Sequence, residues 1–361
     1  MRTIAFAGGG TAGHIEPALA VARQWGAQHK QDHMIFIGTS SGLENSLVPA
    51  AGFELRLISK VYVPRQISLT WILLPARLII SVMQARRALQ GVDLLIGFGG
   101  YVSGPAYLAA WTRRIPIVIH DANARIGWAN RMGSVFTSYL AVAHAIPRGK
   151  FSKARLTGLP LRSDVQVAAT DAASDWAGAR NKARRGMGWE ADAPTLLILG
   201  GSQGSARINA TIAQALPTLL SMGVQMLHSV GAKNALPPST RTYKAVPYID
   251  QMAQAYLGAD VILARSGAVT CAEVGALGKL ALFIPLSIGN GEQFRNADNL
   301  VEQGRAVVLA EEKFTSEWLI SHLPQLLLQS SANPVAGSKG DLNAAKNIVG
   351  LMEMALGGEN S

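Results

Sequence analysis

A short apolar run, a glycine turn and a helical pattern follow one another twice in this chain of 361 residues. Thr3–Ala7 leads into GGGTAG at residues 8–13, and Thr195–Leu199 leads into GGSQG at residues 200–204. Further short apolar runs alternate with helical patterns, which is typical of parallel sheets covered by helices on both faces. The repeat predicts an α/β protein with two Rossmann-like domains.

The restart of the pattern gives the predicted domain boundaries. We expect an N-terminal domain at residues 1–163 and a second domain at residues 164–340. The polar segment Asp164–Ala193 is expected to hold the linker and an irregular first helix, and a helix and tail at residues 341–361 can pack back on the first domain. Ligands of such sheets bind at the carboxyl ends of the strands, so two facing domains predict a cleft.

The charge of the chain is concentrated in its first half. Residues 1–162 hold 18 Lys and Arg against 6 Asp and Glu, a net charge of +12, whereas the remainder carries −2. A basic half indicates an anionic partner such as nucleic acid, anionic lipid or a phosphorylated substrate. Aromatic-rich binding strands are missing from this half, and its glycine turns suit small phosphates better, so nucleic acid is not expected.

A basic and apolar segment at Ile67–Arg87 lies in the same half. It suits insertion into an anionic membrane interface, and the alternative is a buried helix with a basic solvated end. No uninterrupted apolar run reaches the roughly 18–20 residues of a membrane span, and the N-terminus does not resemble a signal peptide. The sequence therefore predicts a peripheral contact with an anionic membrane surface.

Metal chemistry is not expected from the composition. Cys271 is the only cysteine, which excludes an internal disulfide and a multi-cysteine metal site, and it fits a reducing compartment. The sequence contains neither HExxH nor paired CxxC motifs. No metal and no other cofactor are predicted.

The first glycine turn matches GxGxxG, a pattern of dinucleotide-binding proteins. The second strand, however, ends in Ile37-Gly38-Thr39, where a dehydrogenase carries an acid for the ribose, so nicotinamide binding is disfavoured. His14 follows the turn at a helix N-terminus, where the helix dipole lowers the pKa of an imidazole and keeps it able to accept a proton. The alternative is a histidine that only caps the helix.

The second glycine turn offers main-chain amides, the hydroxyl of Ser202 and a helix N-terminus, which suit a diphosphate; a tight turn without a ligand is the alternative. Glu273 follows the strand Val261–Ala264 and can accept both hydroxyls of a ribose, or it is a solvated helix residue. The loop at 99–105 and the polar cluster at 120–123 also follow apolar runs, so we expect them at the same sheet edge as His14.

Eight motifs in order resemble one family, the MurG-type UDP-N-acetylglucosamine:lipid I N-acetylglucosaminyltransferases of peptidoglycan synthesis. These motifs are GGGTAGHIEPALAVA, GGYVSGPAYLAAW, HDANARIGWANR, GLPLR, LGGSQGSARIN, YIDQMAQAY, ARSGAVTCAEVGALG and FIPLSIGNGEQFRNA. They span nearly the whole chain, and their common order is far more specific than any one of them.

The resemblance implies a GT-B fold and a peripheral enzyme on the cytoplasmic side of the cell inner membrane that serves cell-wall synthesis, cell shape and division. It implies inverting transfer of N-acetylglucosamine from UDP-N-acetylglucosamine to the 4-hydroxyl of N-acetylmuramic acid in lipid I, which yields lipid II. The matching catalytic or acceptor-side positions are His14 and Tyr101. The matching donor-site positions are Thr11, Ala12, Gly13, Asn123, Arg162, Ser202, Ile249, Ala268, Val269, Thr270, Cys271, Ala272, Glu273 and Gln293.

The chain departs from the family pattern at several positions. Ala12 replaces a glycine, Asp121-Ala122 replaces Glu-Gln, Glu292 replaces the first of two glutamines and Asn290 an aspartate. Three rival functions stay open on the sequence. They are a GT-B enzyme with another acceptor or UDP-sugar epimerase activity, a non-catalytic nucleotide-sugar or lipid-binding protein, and a dinucleotide oxidoreductase.

Overall fold

The structure is a computed structural model that describes residues 1–61, 70–201, 203–286, 291–332 and 337–357, with the backbone alone at 70–72. Its contacts divide the chain into two compact units. Unit 1 comprises Met1–Arg162 and Asp341–Ser361, and unit 2 comprises Ser163–Gly340.

Thirteen strands are present in the described residues. They are β1 (Thr3–Ala7), β2 (His33–Gly38), β3 (Glu54–Leu57), β4 (Leu94–Gly97), β5 (Ile117–Asp121), β6 (Tyr139–Val142), β7 (Arg155–Leu156), β8 (Thr195–Leu199), β9 (Gln225–Ser229), β10 (Tyr243–Val246), β11 (Val261–Ala264), β12 (Leu280–Phe283) and β13 (Ala306–Val308).

Fourteen α-helices accompany them in the described part of the chain. They are α1 (Ala12–Gln28), α2 (Glu44–Ala50), α3 (Thr70–Ala88), α4 (Gly100–Thr112), α5 (Trp128–Gly133), α6 (Ser163–Ser174), α7 (Trp176–Gly186), α8 (Ala206–Ser221), α9 (Met252–Gly258), α10 (Ala268–Ala276), α11 (Glu292–Asn296), α12 (Asp298–Glu302), α13 (Ser316–Ala332) and α14 (Ala344–Gly357).

Each unit is built on one parallel sheet. The sheet of unit 1 has the order β3-β2-β1-β4-β5-β6-β7, and that of unit 2 has the order β10-β9-β8-β11-β12-β13. All strand pairs in both sheets are parallel. This arrangement confirms the prediction of two Rossmann-like α/β domains. In each sheet the order reverses beside the first strand, and ligands of open α/β sheets bind outside the carboxyl ends of strands at such a point.

Burial on both sheet faces explains why the strands read as continuous apolar runs. β1 and β8 are almost wholly buried, and the side chains of β1 alternate between clusters on opposite faces of the sheet of unit 1. In unit 1, Ile4 and Phe6 pack with α1, whereas Ala5 and Ala7 pack with helices on the other face. Helices cover both faces, as the short apolar strands predict.

The last helix of the chain belongs to the core of unit 1. Ile348, Val349 and Met352 of α14 are buried in the same apolar cluster as Val21 and Trp25 of α1. The carboxylate of Asp341, just before this helix, accepts a hydrogen bond from the Leu159 amide at 2.7 Å. The chain therefore returns to unit 1 after completing unit 2.

The segment expected to hold the linker and an irregular first helix contains two regular helices. Residues 163–186 form α6 and α7, and the carboxylate of Asp175 caps α7 by accepting a 2.9 Å hydrogen bond from the Gly178 amide. Arg184 is completely buried and pairs with Asp260 at 2.7 Å, which holds α7 against the segment before β11 within unit 2. The segment is rich in alanine and arginine because both residues favour helices, and a tertiary contact binds the cation of Arg184.

Among the helices that the structure describes, none combines the length and apolar character needed to cross a bilayer.

Candidate active site

The carboxyl ends of β1 and β4 bring two glycine-rich segments together in unit 1. Ala7 pairs with Gly97, so the turn at residues 8–10 and the segment 98–100 emerge side by side. A Cβ added at Gly100 would lie 2.5 Å from the Gly9 carbonyl oxygen, and Gly100 has a φ of +82°. Glycine at this position is therefore required both by the backbone conformation and by the close approach of the two chains.

His14 lies in the first turn of α1 and is half-buried. Its amide donates to the Thr11 carbonyl at 3.1 Å, and its Nδ1 lies 3.2 Å from Thr11 Oγ1. A Cβ added at Gly99 would lie 3.5 Å from His14 Nε2, so the missing side chain leaves room beside this nitrogen. Thr11 holds one ring nitrogen, and the other points to the strand edge where the site was predicted.

α1 begins at Ala12, five residues before the predicted start at Pro17. Pro17 is the sixth residue of this helix, so its ring removes the amide that would donate to the Gly13 carbonyl oxygen in a regular helix. Arg114 is the only non-glycine residue with positive φ among those that the structure describes, so Ala12 fits its position without backbone strain. The departure from the family glycine is therefore compatible with the turn.

Tyr101 lies on a helix rather than in the predicted loop. α4 begins at Gly100, which places Tyr101 in its first turn with 46% of its surface exposed. Its ring edge faces Gly10, where an added Cβ would lie 3.8 Å from Tyr101 Cδ2. The Lys60 ammonium lies 5.0 Å from the centre of the Tyr101 ring. Tyr101 and His14 are thus brought to the same pair of glycine segments.

The polar cluster at 120–123 forms the end of β5 and the turn after it. Asp121 accepts hydrogen bonds from the amides of Asn123 and Gly127 at 3.0 and 2.9 Å and from Asn130 Nδ2 at 3.0 Å. Burial raises the pKa of the Asp121 carboxyl, while these hydrogen bonds and the nearby His14 act in the opposite direction. Asp121 therefore organises its own loop and contributes negative potential at His14.

His120 is buried beneath this loop. Its Nε2 lies 3.0 Å from the Gly158 carbonyl oxygen, and burial lowers the pKa of its imidazole to about 4. Its Nδ1 is buried without a hydrogen-bond partner among the described residues. A neutral ring with Nε2 protonated satisfies the Gly158 contact and leaves Nδ1 as an acceptor.

Two predicted donor-site residues of unit 1 lie near these elements. Asn123 is half-buried in the turn after β5. Arg162 Nε lies 3.9 Å from Glu16 Oε1, two residues beyond His14 on α1, and both side chains are largely buried. The residues of unit 1 that the sequence predicted therefore lie on the segments that follow β1, β4 and β5, and at Arg162, which ends the first part of the unit.

The dinucleotide alternative is disfavoured by a residue that the sequence analysis missed. The Gly10 amide, which a pyrophosphate would need, donates at 2.9 Å to the buried carboxylate of Glu44. A second anion at this amide would be repelled by the negative charge of Glu44, because a buried site screens charges poorly. The motif GLEN at 42–45 carried no recognised pattern, so only the tertiary structure reveals this contact.

In unit 2, β8 and β11 end beside each other, as β1 and β4 do in unit 1. Ser202 lies outside the described residues. Its turn is followed by Ser205, the N-cap of α8, whose Oγ accepts a hydrogen bond from the Ile208 amide at 3.3 Å. The predicted start of this helix near Ala206 is confirmed.

Arg265 ties several loops together at this edge of unit 2. Its guanidinium donates to Ser205 Oγ at 2.8 Å, to the Ile284 carbonyl oxygen at 2.9 Å, and to the carboxylate of Glu311. The sequence placed Arg265 in a motif without giving it a role. The structure makes it the connection between the glycine turn, the end of β12 and the segment after β13.

Glu273 lies in the second turn of α10 and is completely buried. The Tyr256 hydroxyl of α9 donates to Glu273 Oε2 at 2.9 Å. The alternative of a solvated helix glutamate is therefore wrong, because desolvation of this carboxylate is offset by a specific donor. Ala268, Val269 and Cys271 are buried on the same helix, whereas Thr270 and Ala272 are half-buried. Burial raises the pKa of the Cys271 thiol.

Two further predicted residues flank the second sheet. Ile249 is buried in the segment between β10 and α9. Gln293, in the first turn of α11, accepts a hydrogen bond at its Oε1 from the Leu286 amide at 2.9 Å. This contact fixes the orientation of the side-chain amide and directs its NH₂ group away from the Leu286 backbone.

The fold and its glycine-rich edges agree with the family comparisons. The model of the glycosyltransferase family 28 N-terminal domain matches residues 4–142, and that of the family 28 C-terminal domain matches residues 195–351. Two Rossmann-like domains with these matches define a glycosyltransferase of the GT-B fold.

Two relatives carry the same name, UDP-N-acetylglucosamine–N-acetylmuramyl-(pentapeptide) pyrophosphoryl-undecaprenol N-acetylglucosamine transferase. The protein of Thermobifida fusca is 43% identical and the alignment covers 96% of this chain and 94% of the relative. That of Streptomyces coelicolor is 44% identical over 98% of both chains. The chain therefore belongs to this family of N-acetylglucosamine transferases.

Solved structures agree on the fold. The crystal structure of MurG from Acinetobacter baumannii has a TM-score of 0.67 at 26% identity and covers 98% of this chain and 99% of its own. A UDP-N-acetylglucosamine 2-epimerase from Neisseria meningitidis has a TM-score of 0.61 at 16% identity, covering 98% of this chain and all of its own. The epimerase shares the fold alone, so family membership, rather than shape, separates the rival functions.

Proposed function

We propose that this enzyme transfers N-acetylglucosamine from UDP-N-acetylglucosamine to the 4-hydroxyl of N-acetylmuramic acid in lipid I, with release of UDP and formation of lipid II. The observation that carries the proposal is 43–44% identity, over nearly the full length of both chains, to relatives named for this transfer. The chemistry of the two strand edges supports it.

The reaction exchanges one bond at the anomeric carbon for another. The acceptor oxygen forms a bond to C1 as the bond between C1 and the diphosphate oxygen breaks, and UDP leaves with that electron pair. The acceptor proton goes to a base on the enzyme, and inversion follows from attack opposite to the leaving group. Charge develops on the diphosphate, where main-chain amides and a helix dipole stabilise it most effectively.

His14 is proposed as this base. The proposal places the ring proton on Nδ1, which donates it in a hydrogen bond to Thr11 Oγ1, so that Nε2 is the nitrogen that accepts the proton of the acceptor. The room beside Gly99 suits the approach of a hydroxyl to Nε2. Negative potential from Asp121 stabilises the imidazolium that forms. Tyr101 is proposed to contact the acceptor from the first turn of α4.

The donor is proposed to bind largely to unit 2. Ser202 and the amides of its turn would receive the departing diphosphate, Ile249 would contact the uracil, and residues 268–273 would surround the nucleoside. Gln293 would bind the sugar hydroxyls through its NH₂ group. Glu273 would accept the ribose hydroxyls, which requires the side chains that bury its carboxylate to move. Thr11, Ala12, Gly13, Asn123 and Arg162 of unit 1 match donor-site positions of the family and are proposed to contact the donor.

The proposed activity is tested by measuring UDP release from UDP-N-acetylglucosamine with and without a lipid I analogue. Release that depends on the analogue, with formation of the disaccharide product, is the expected result. Formation of UDP-N-acetylmannosamine without an acceptor would instead identify an epimerase. UDP binding without any turnover would identify a non-catalytic nucleotide-binding protein.

We also propose that α3 docks on an anionic membrane surface on the cytoplasmic side of the cell inner membrane. Leu73, Ile79, Ile80 and Met83 of this helix are all at least half exposed. Arg77 and Arg87 are exposed beside them, and Arg86 is bound to Thr112 of α4. Apolar side chains flanked by cations are suited to the interface of an anionic bilayer. The part of the predicted segment at 67–69 lies outside the described residues.

Replacing Ile79 and Ile80 with serine is expected to weaken binding to vesicles that contain anionic lipid by about tenfold. The reason is that about half of each side chain is already buried in the protein, so its further burial contributes roughly half of the 1.5–3 kcal/mol of full burial, and the two together at least about 1.5 kcal/mol. Vesicle sedimentation measures the change, and activity on a short-chain soluble acceptor should be retained. Leu328→Ser, which alters a 71% exposed aliphatic side chain on α13 of unit 2, is the control. Unchanged vesicle binding by the double variant would exclude this surface.

A further inference from the structure

The Glu44 carboxylate is the most completely enclosed acidic group at the strand edge of unit 1. Glu44 is the first residue of α2 and has no exposed surface. Its Oε2 accepts from the Gly10 amide at 2.9 Å, and its Oε1 accepts from the Thr39 amide and hydroxyl at 2.9 and 3.0 Å. A buried carboxylate is tolerated when its oxygens receive hydrogen bonds of this kind.

Three glycines make the space that this side chain occupies. A Cβ added at Gly9, Gly38 or Gly42 would lie 2.9, 2.5 or 1.9 Å from an atom of Glu44. These glycines come from the turn after β1, the end of β2 and the segment before α2. The carboxylate therefore sits in a pocket formed by three separate segments, and none of the three could carry a larger residue without displacing it.

The turn that Glu44 holds supports both residues proposed to face the reacting centre. Gly10 has a φ of +91° and directly precedes Thr11, whose carbonyl and hydroxyl oxygens both contact His14. The Gly9 carbonyl lies against Gly100, at the start of the helix that carries Tyr101. A shift of the turn would thus displace His14 and Tyr101 together.

We propose that Glu44 is a positioning residue for the transfer reaction, whose carboxylate fixes the turn at residues 8–10 and through it the placement of His14. The inference rests on the proposed role of His14. Glu44 itself is enclosed by protein and does not touch substrate. A glutamine at this position keeps the shape, but it replaces one acceptor oxygen with an NH₂ group that faces an N–H donor. The turn must then move or lose a hydrogen bond.

The expected effect of Glu44→Gln is a fall in kcat of about 10–100-fold, because a displacement of roughly 1 Å at a reacting centre costs about that much. The dissociation constant of UDP should stay within about twofold of the original value, since the proposed nucleotide site lies in unit 2. Thr39→Val, which removes one of the three hydrogen bonds, should give a smaller loss. Glu54→Gln, at an exposed carboxylate of β3, is the matched control and should keep full activity.

A double-variant cycle separates positioning from general loss of structure. If Glu44 acts through His14, then Glu44→Gln should lower kcat much less in a His14→Ala background than in the original enzyme, and the loss that remains is the part that acts through Tyr101. Rates are normalised to the concentration of UDP-binding sites and measured well below the unfolding temperature. Multiplicative losses, or a loss of UDP sites that matches the loss of activity, would overturn the proposal.

Hydrogen exchange tests the same inference without relying on activity. Peptides that cover residues 8–14 should exchange at least about tenfold faster in Glu44→Gln, whereas peptides from β8 should be unchanged. Unchanged exchange at 8–14 would contradict the role of Glu44 in holding the turn. If the original enzyme fails to transfer to lipid I analogues while this exchange result holds, then the proposed activity is wrong and the positioning of the turn stands.

Discussion

Replacing His14 with alanine is expected to lower kcat by about 10²–10⁴-fold, the usual contribution of a general base. The variant should bind UDP with nearly unchanged affinity, because the nucleotide is proposed to bind in unit 2. Single-turnover kinetics with a lipid I analogue, together with calorimetric titration of UDP, measures the two quantities separately.

His33→Ala is the control for this experiment. His33 begins β2 in the same unit, and its partly exposed side chain pairs with Glu54 at 3.4 Å, away from the glycine turns. Its loss should leave kcat unchanged. A loss of UDP affinity equal to the loss of turnover in His14→Ala would identify His14 as a binding residue instead of the base.

Replacing Met352 with alanine is expected to destabilise unit 1 by about 2–5 kcal/mol, the range found when a large apolar side chain is removed from a packed core. Met352 of α14 has no exposed surface and packs in the cluster that contains Trp25 of α1. Hydrogen exchange of peptides from α1 and α14 measures the free energy of opening of this unit alone, without assuming two-state unfolding of the whole chain.

Met354→Ala provides a control on the same helix, two residues away. Its side chain is 57% exposed, so its removal should change the free energy of opening by less than about 0.5 kcal/mol. Equal effects of the two substitutions would show that α14 contributes to unit 1 through helix formation rather than through core packing. Protection of unit 2 should not change in either variant.

The sequence predicted the sheets well because their strands are short and buried on both faces. Thr3–Ala7, Thr195–Leu199 and Val261–Ala264 were located without error, since a continuous apolar run followed by a glycine-containing turn has few other structures available. The end of β5 was missed by two residues. His120 and Asp121 are polar but buried in the strand, because the Asp121 carboxylate receives hydrogen bonds from Gly127 and Asn130 and His120 Nε2 lies 3.0 Å from the Gly158 carbonyl oxygen.

Long-range polar contacts could not be predicted from local patterns. Glu44 reaches Gly10 across 34 positions, and Arg265 reaches Ser205 across 60. In a sequence, an acidic or basic residue that makes such a hydrogen bond inside the fold cannot be distinguished from one that faces solvent. The order of the motifs located the candidate site, whereas the residues that hold its backbone in place could be identified only from the structure.

The start of α4 shows why loop and helix were confused at Tyr101. The glycines at 99 and 100 have φ values of +90° and +82°, which favours a turn, yet the helix begins at the second of them. Ser103 stabilises this start because its hydroxyl accepts a hydrogen bond from the Gly99 amide at 3.1 Å and donates one to the Ala7 carbonyl oxygen at 3.0 Å. A side chain from the helix thus anchors it to β1, which residue propensities do not reveal.

The return of α14 to unit 1 has a consequence for how the chain acquires its shape during synthesis. The ribosome finishes all seven strands of the first sheet before any of unit 2 has emerged, yet the helix that covers part of one face of that sheet is made only after the whole of unit 2. Until then, apolar side chains of α1 remain open to water and to chaperones. Unit 2, whose sequence is continuous, can therefore complete its folding first, and unit 1 completes its core only when α14 has been synthesised.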